Sequence, residues 1–246
     1  MNREGPARIE DESKGLRRIA IGSAVGLAAG VVGLVLPVAL FLITGYRLAP
    51  PGLAEAGLIQ VTALLTLAGA ILFAVSLTIY RMGFASFRPL DRRFWAASFL
   101  CMLGTIGVLL IVLPMALSFT TSDAMANCIQ GSPTKALTCL RSAAPLAADA
   151  TIAGVWLLWA GGLGVVVGIS LASLRYRDPW LSAGAGAYAF LLLGLSAPIL
   201  GFIFPIAGLV YPVLALPVLV LLAPALISHG SQHALGSGLP SGAAAP

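Results

Sequence analysis

Residues 19–46 read IAIGSAVGLAAGVVGLVLPVALFLITGY, a run without a single charge. About 20 predominantly apolar residues cross a bilayer as a helix, so this run suffices on its own. Gly22, Gly26 and Gly30 recur at every fourth position and therefore share one helical face. Gly33 extends that small face, and Pro37 is expected to interrupt the helix beyond it. Lipid supplies no hydrophobic force between helices, so close backbone approach must supply the packing energy, and a face without Cβ atoms permits it. The stretch reads as the seam on which the other spans pack. Glycine is also simply frequent in membrane helices, which is the competing account of the same pattern.

The composition sets the class. Of 246 residues, 59% are hydrophobic and 9% charged, with a mean hydropathy of +0.99. Soluble domains carry about 25% charged residues, so the expected fold is all-α, a polytopic membrane protein. A membrane β-barrel is excluded because the apolar runs are long and do not alternate. The net charge of +5 could suggest a nucleic-acid partner, but the charges flank apolar runs, where topology explains them. The partners expected are the lipid bilayer and other membrane subunits or a second copy of the chain, with no nucleic acid. Residues 1–18 could be the charged region of a signal peptide. The apolar run after them is about 28 residues, far beyond a signal-peptide core of about 7–15, so a retained first span is expected.

Further apolar runs lie at about 58–80, 94–119, 150–174, 181–202 and 205–228. Together with the first they make six transmembrane helices, arranged as three hairpins, the last closed tightly around Gly201–Pro205. Lys and Arg accumulate in cytoplasmic loops. The N-terminal segment, the loop after span two and the loop after span four hold 11 of the 14 positive residues; Arg47, Lys135 and Arg141 fall on the other side. Both termini are therefore expected in the cytoplasm of a multi-pass cell-membrane protein. Residues 1–18 form a cytoplasmic segment, 19–228 the transmembrane domain with an outer loop at about 120–149, and 229–246 a disordered tail rich in Gly, Ser, Ala and Pro. In the first segment Glu4 and Arg8, and Glu10 and Lys14, stand at helical i,i+4 spacing, which suggests a short helix leading into span one. Pro198, Pro205, Pro212, Pro217 and Pro224 crowd the last two spans and are expected to kink them.

Spans one and three share a pattern: Gly30-x-x-Gly33 with Leu36-Pro37, and Gly104-x-x-Gly107 with Leu113-Pro114. Span two ends Ser76-Leu77 through Arg81, and span four Ser170-Leu171 through Arg175. The expectation is a duplicated hairpin in one orientation, against chance matching in apolar sequence.

Few residues suggest chemistry. Cys128 and Cys139 flank Gly131-Ser132-Pro133 in the outer loop, on the side where disulfides persist, and a bridge between them is expected. Free thiols, a mixed disulfide or metal binding are the alternatives, and the spacing matches no zinc pattern. Cys101 sits inside span three as a small apolar residue. His229 and His233 have two-ligand spacing but no third ligand, so no metal site is assigned. None of the nine acids lies deep in a span, which argues against proton relays and voltage sensing. A passive path lined by Thr62, Thr66, Ser76, Thr105, Trp156, Trp159, Tyr188 and Tyr211 stays open, although each is more often a packing residue. The loop RMGFASFRPLDRRFW at 81–95 is expected at the membrane interface, arginines on headgroups and rings at the acyl boundary, or else as a docking surface for a partner. No catalytic or cofactor-binding motif stands in a suitable context.

Glu12-Ser13-Lys14-Gly15-Leu16-Arg17-Arg18 before the first span and Arg81-Met82-Gly83-Phe84 after the second resemble an uncharacterised family of archaeal multi-spanning membrane proteins. The resemblance covers about the first hundred residues and implies no catalytic residues. The functional expectation is a non-enzymatic accessory or scaffold subunit of a membrane assembly. A small permease or channel for a neutral or lipidic solute is the alternative.

Overall fold

The computed structural model describes residues 4–45, 53–118, 145–195 and 216–237. Every element in those residues is helical. Helix α1 spans Glu4–Gly30, passes through one wide π-turn at Val31–Val35, and continues as α2, Leu36–Gly45. Then come α3 (Leu53–Ser86), α4 (Arg93–Ser118), α5 (Pro145–Tyr176), α6 (Pro179–Leu195) and α7 (Leu216–Gly236). Five apolar helical stretches are long enough to cross a membrane: Ile9–Leu40, Leu64–Ser86, Arg93–Leu113, Asp149–Tyr176 and Val218–Gly236. The sixth, Pro179–Leu193, is apolar but shorter.

Each helix packs on its neighbour in the chain, and α7 returns to α1, so the helices close into a ring in sequence order. Outward faces are apolar: Leu109, Leu113, Trp156, Leu174 and Phe190 are all exposed. Such a surface suits hydrocarbon and not water.

Pro37 does not interrupt the first helix as its sequence suggests. Proline removes the N–H that would serve the carbonyl four residues back and crowds that carbonyl. The chain absorbs this one turn earlier, where Leu36 N–H reaches the Val31 carbonyl in π-type pairing. The helix then runs on to Gly45. The N-terminal segment is helical and leads into the first span as its i,i+4 pairs suggest, with α1 continuous from Glu4. At the other end α7 carries helix through His229 to Gly236, residues expected to be disordered. Packing against α6 overrides the weak local propensity there. Pro224 lies inside α7, and the Val220 carbonyl that it frees faces Gly30. Pro198, Pro205 and Pro212, the turn at Gly201–Pro205 and the pair Cys128 and Cys139 lie outside the described residues.

The glycine seam serves two neighbours. A Cβ on Gly22 would stand 3.4 Å from Ile79 and Tyr80 of α3, and one on Gly26 3.0 Å from Ser76 Oγ. A Cβ on Gly33 would stand 2.9 Å from Gly69 Cα, whereas one on Gly30 would enter Val220 of α7. Ser76 also donates to the Gly22 carbonyl at 2.7 Å. A second glycine crossing joins α4 to α5. There a Cβ on Gly104 would lie 2.6 Å from Gly161 Cα, and one on Gly107 2.6 Å from the Gly154 carbonyl oxygen. The duplicated-hairpin register is not kept. Aligning Gly33 with Gly107 and Ser76 with Ser170 would set residue 163 beside Gly107. Gly154, Leu157 and Leu158 stand there instead, about one and a half to two and a half turns away.

Candidate functional site

The three Lys/Arg-rich segments of the sequence meet at one end of the ring. Arg18 of α1 donates from Nη1 to Ser86 Oγ at 2.9 Å and to the Met82 carbonyl at 3.3 Å. Across the mouth, Arg175 at the end of α5 meets Glu12 of α1 at 2.6 Å, and Tyr176 O–H donates to the other Glu12 oxygen at 3.2 Å. The Glu12 side chain is 7% exposed and that of Arg175 27%, so the pair is largely removed from water. Lys14 pairs with Glu10 at 2.6 Å on the exposed face of α1, as the i,i+4 spacing suggests.

Beneath the ion pair lies a floor of rings. Tyr80 and Phe84 on α3 and Phe87 just past its end fall at i, i+4 and i+7 and are all buried. Phe87 touches Phe94 with centroids 5.0 Å apart and meets Tyr176 edge-on at 6.3 Å, while Phe84 stacks on Tyr80 at 5.9 Å. Two glycines make room for them. A Cβ on Gly15 would strike the Phe87 ring at 2.6 Å, and one on Gly168 would enter the Phe84 ring. Phe84, Phe87 and Phe94 are fully or almost fully buried, which corrects the reading that placed them at the acyl boundary. Only Trp95 faces outward, stacked on Phe99 at 5.4 Å. The rings went inward because the short turn from Phe87 to Arg92 leaves each helix face pointing where its own register dictates.

A second clamp joins α6 to α7. Arg177 takes a left-handed conformation, φ 50°, and breaks the chain from α5. Asp178 then caps α6: Oδ1 accepts from Trp180 N–H at 2.9 Å and Leu181 N–H at 3.0 Å. Its Oδ2 meets His233 Nδ1 at 2.7 Å. His229 instead lies edge-on to Trp180 at 5.0 Å. The two histidines thus serve different partners. Asp178-Pro179 is the sequence signal that was missed, a cap residue followed by proline at the first helical position. Glu12 with Arg175 has no such signal, because 163 positions separate them.

Deeper in the ring, Tyr80 O–H and Ser23 Oγ share a hydrogen bond of 2.7 Å. Tyr188 Oη and Trp159 Nε1 are buried with no hydrogen-bond partner among the described residues, and the buried Cys101 thiol faces the Gly161 carbonyl at 3.9 Å. Of the other polar residues proposed to line a path, Ser76 is held by Gly22, and Thr105 bonds back to Cys101 at 3.1 Å. Thr66 bonds back to Thr62 on an exposed face, Trp156 is exposed, and Tyr211 lies outside the described residues. The seven that lie among the described residues do not line one channel.

No family model, curated protein or solved structure matches this chain.

Proposed function

We propose that the protein is a non-enzymatic integral membrane protein, a scaffold or accessory subunit that packs against other membrane helices. It crosses the membrane six times as three hairpins, with α6 the fifth crossing and both termini in the cytoplasm; the 11-to-3 division of positive residues supports that orientation. One observation carries the functional reading. Among the described residues the buried carboxylates are Glu12 and Asp178, both engaged in holding helix ends together, and aromatic rings fill the mouth beneath Arg175. That is the construction of a clamp. The Cys128–Cys139 bridge completes the outer loop. Thiol labelling of the denatured, non-reduced protein should modify Cys101 alone, and modification of all three cysteines would exclude the bridge.

The permease reading is favoured by Tyr188 Oη and Trp159 Nε1, buried donors with no partner among the described residues. Two measurements separate the readings. Gentle solubilisation should yield a stoichiometric assembly with other membrane subunits. Proteoliposomes of the purified protein should take up small neutral solutes no faster than empty liposomes. Solute-selective uptake would overturn the scaffold reading.

A further inference from the structure

On the outside of the bundle, between α3 and α4, lies a groove of about 350 Å³. Ile71, Val75, Thr78 and Met82 form one wall, Leu109 and Val112 the other. Ile71, Val75, Met82 and Leu109 are 43–57% exposed, so the groove opens outward and not into the ring. Thr78 turns its hydroxyl back to the Ala74 carbonyl at 2.9 Å, which leaves the wall apolar. From Ile71 to Met82 the groove runs ~16 Å along α3, at 1.5 Å per residue. That is about half of a ~30 Å hydrocarbon core, one leaflet deep.

The two ends of the groove differ. The Ile71 end is uncharged. The Met82 end is flanked by guanidinium groups: Arg18 rests on the Met82 carbonyl itself, and exposed Arg81 adjoins Met82 on the side of α4. Arg88 donates to Ser98 Oγ at 3.3 Å, and Ser98 donates to the Arg81 carbonyl at 3.2 Å, which ties a third guanidinium to the same seam. The acid of this turn, Asp91, is committed to the Arg93 N–H at 2.8 Å as a helix cap.

We propose that this groove is a binding site for one anionic phospholipid, an acyl chain along Val75 and Thr78 and the phosphate held by Arg18 and Arg81. Two features point to a lipid and not to a second helix. A crossing helix needs the full ~30 Å, twice what the groove offers. A helix also has no use for a cluster of cations at one end, whereas guanidinium groups match phosphate oxygens in charge and geometry. The site is independent of whether the protein is a scaffold or a permease.

The test uses the full-length purified protein, exchanged into detergent with equal phosphatidylglycerol and phosphatidylcholine of identical chains, and native mass spectrometry of retained lipid. A basic residue at an anionic membrane surface contributes roughly fivefold in binding, so two should give phosphatidylglycerol a preference of about thirtyfold. Arg81→Gln, which removes no side-chain bond to any described residue, should lower that preference about fivefold. Thr78→Phe should abolish retention of both lipids while elution volume and melting temperature stay at wild-type values. Leu174→Phe, on the exposed face of α5, and Lys14→Gln should change nothing. Equal retention of the two lipids by the wild type would overturn the proposal, as would unchanged retention in Thr78→Phe. So would a dimer mass that Thr78→Phe removes, because it would make the groove a contact between copies.

Discussion

Replacing Gly107 and Gly186 by alanine should change stability in opposite directions. Both residues lie within helices, and neither has a positive φ. A methyl at Gly107 would stand 2.6 Å from the Gly154 carbonyl oxygen and 2.6 Å from Leu158 N. Ordinary contact begins near 3.4 Å, so α4 and α5 would have to part by about 0.8 Å. These are backbone atoms of a helix and cannot rotate aside. Overpacking of this kind costs about 1–3 kcal/mol, against a gain in helix propensity of up to about 1 kcal/mol. With the full propensity gain set against it, the net expectation is destabilisation of up to about 2 kcal/mol. At Gly186 no described residue lies within 4 Å of the added methyl, so only the propensity gain remains, and the variant should be more stable by up to about 1 kcal/mol. The assay is reversible unfolding of the purified protein in mixed micelles at rising denaturing-detergent fraction, followed by circular dichroism. If Gly107→Ala is as stable as Gly186→Ala, the α4–α5 crossing is not held by backbone contact, and the packing argument fails.

A double-mutant cycle on Glu12→Ala and Arg175→Met should show coupling of about 2–4 kcal/mol in the same assay, because each single change strands a largely buried partner; additive effects would mean that the pair does not close the mouth. Asp178→Ala should cost about 1–2 kcal/mol through loss of the α6 cap, and His233→Ala distinctly less, since His233 is half exposed. Arg177→Gly should stabilise by about 1 kcal/mol, because a side chain at φ 50° carries a penalty that glycine avoids; an unchanged unfolding midpoint would count against the left-handed turn. Reporter fusions at residue 88 should read cytoplasmic and at residue 130 external, and any reversal would break the six-span topology.

The sequence alone determined the class of molecule and much of its grain. Uninterrupted apolar runs dictate helices, because in hydrocarbon a backbone must satisfy its own hydrogen bonds. The Lys/Arg segments that it groups on one side are those that meet in space, through Arg18 with Ser86 and Arg175 with Glu12. Even the inward face of Tyr80, Phe84 and Phe87 is written as i, i+4, i+7 spacing, although the arginines beside them are the pattern of a membrane-surface segment. Pairings between distant segments were decided only by the tertiary structure. Gly22, Gly26, Gly30 and Gly33 show that something must come close, but nothing local says that three meet α3 and one meets α7. Gly15 and Gly168 look like ordinary helix glycines until two phenylalanine rings fill the space above them. Periodicity reports which face a helix turns inward, because that follows from its own 3.6-residue repeat. Which neighbour waits there depends on how six helices share one ring, a choice made among contacts of similar strength and written in no single stretch of the chain.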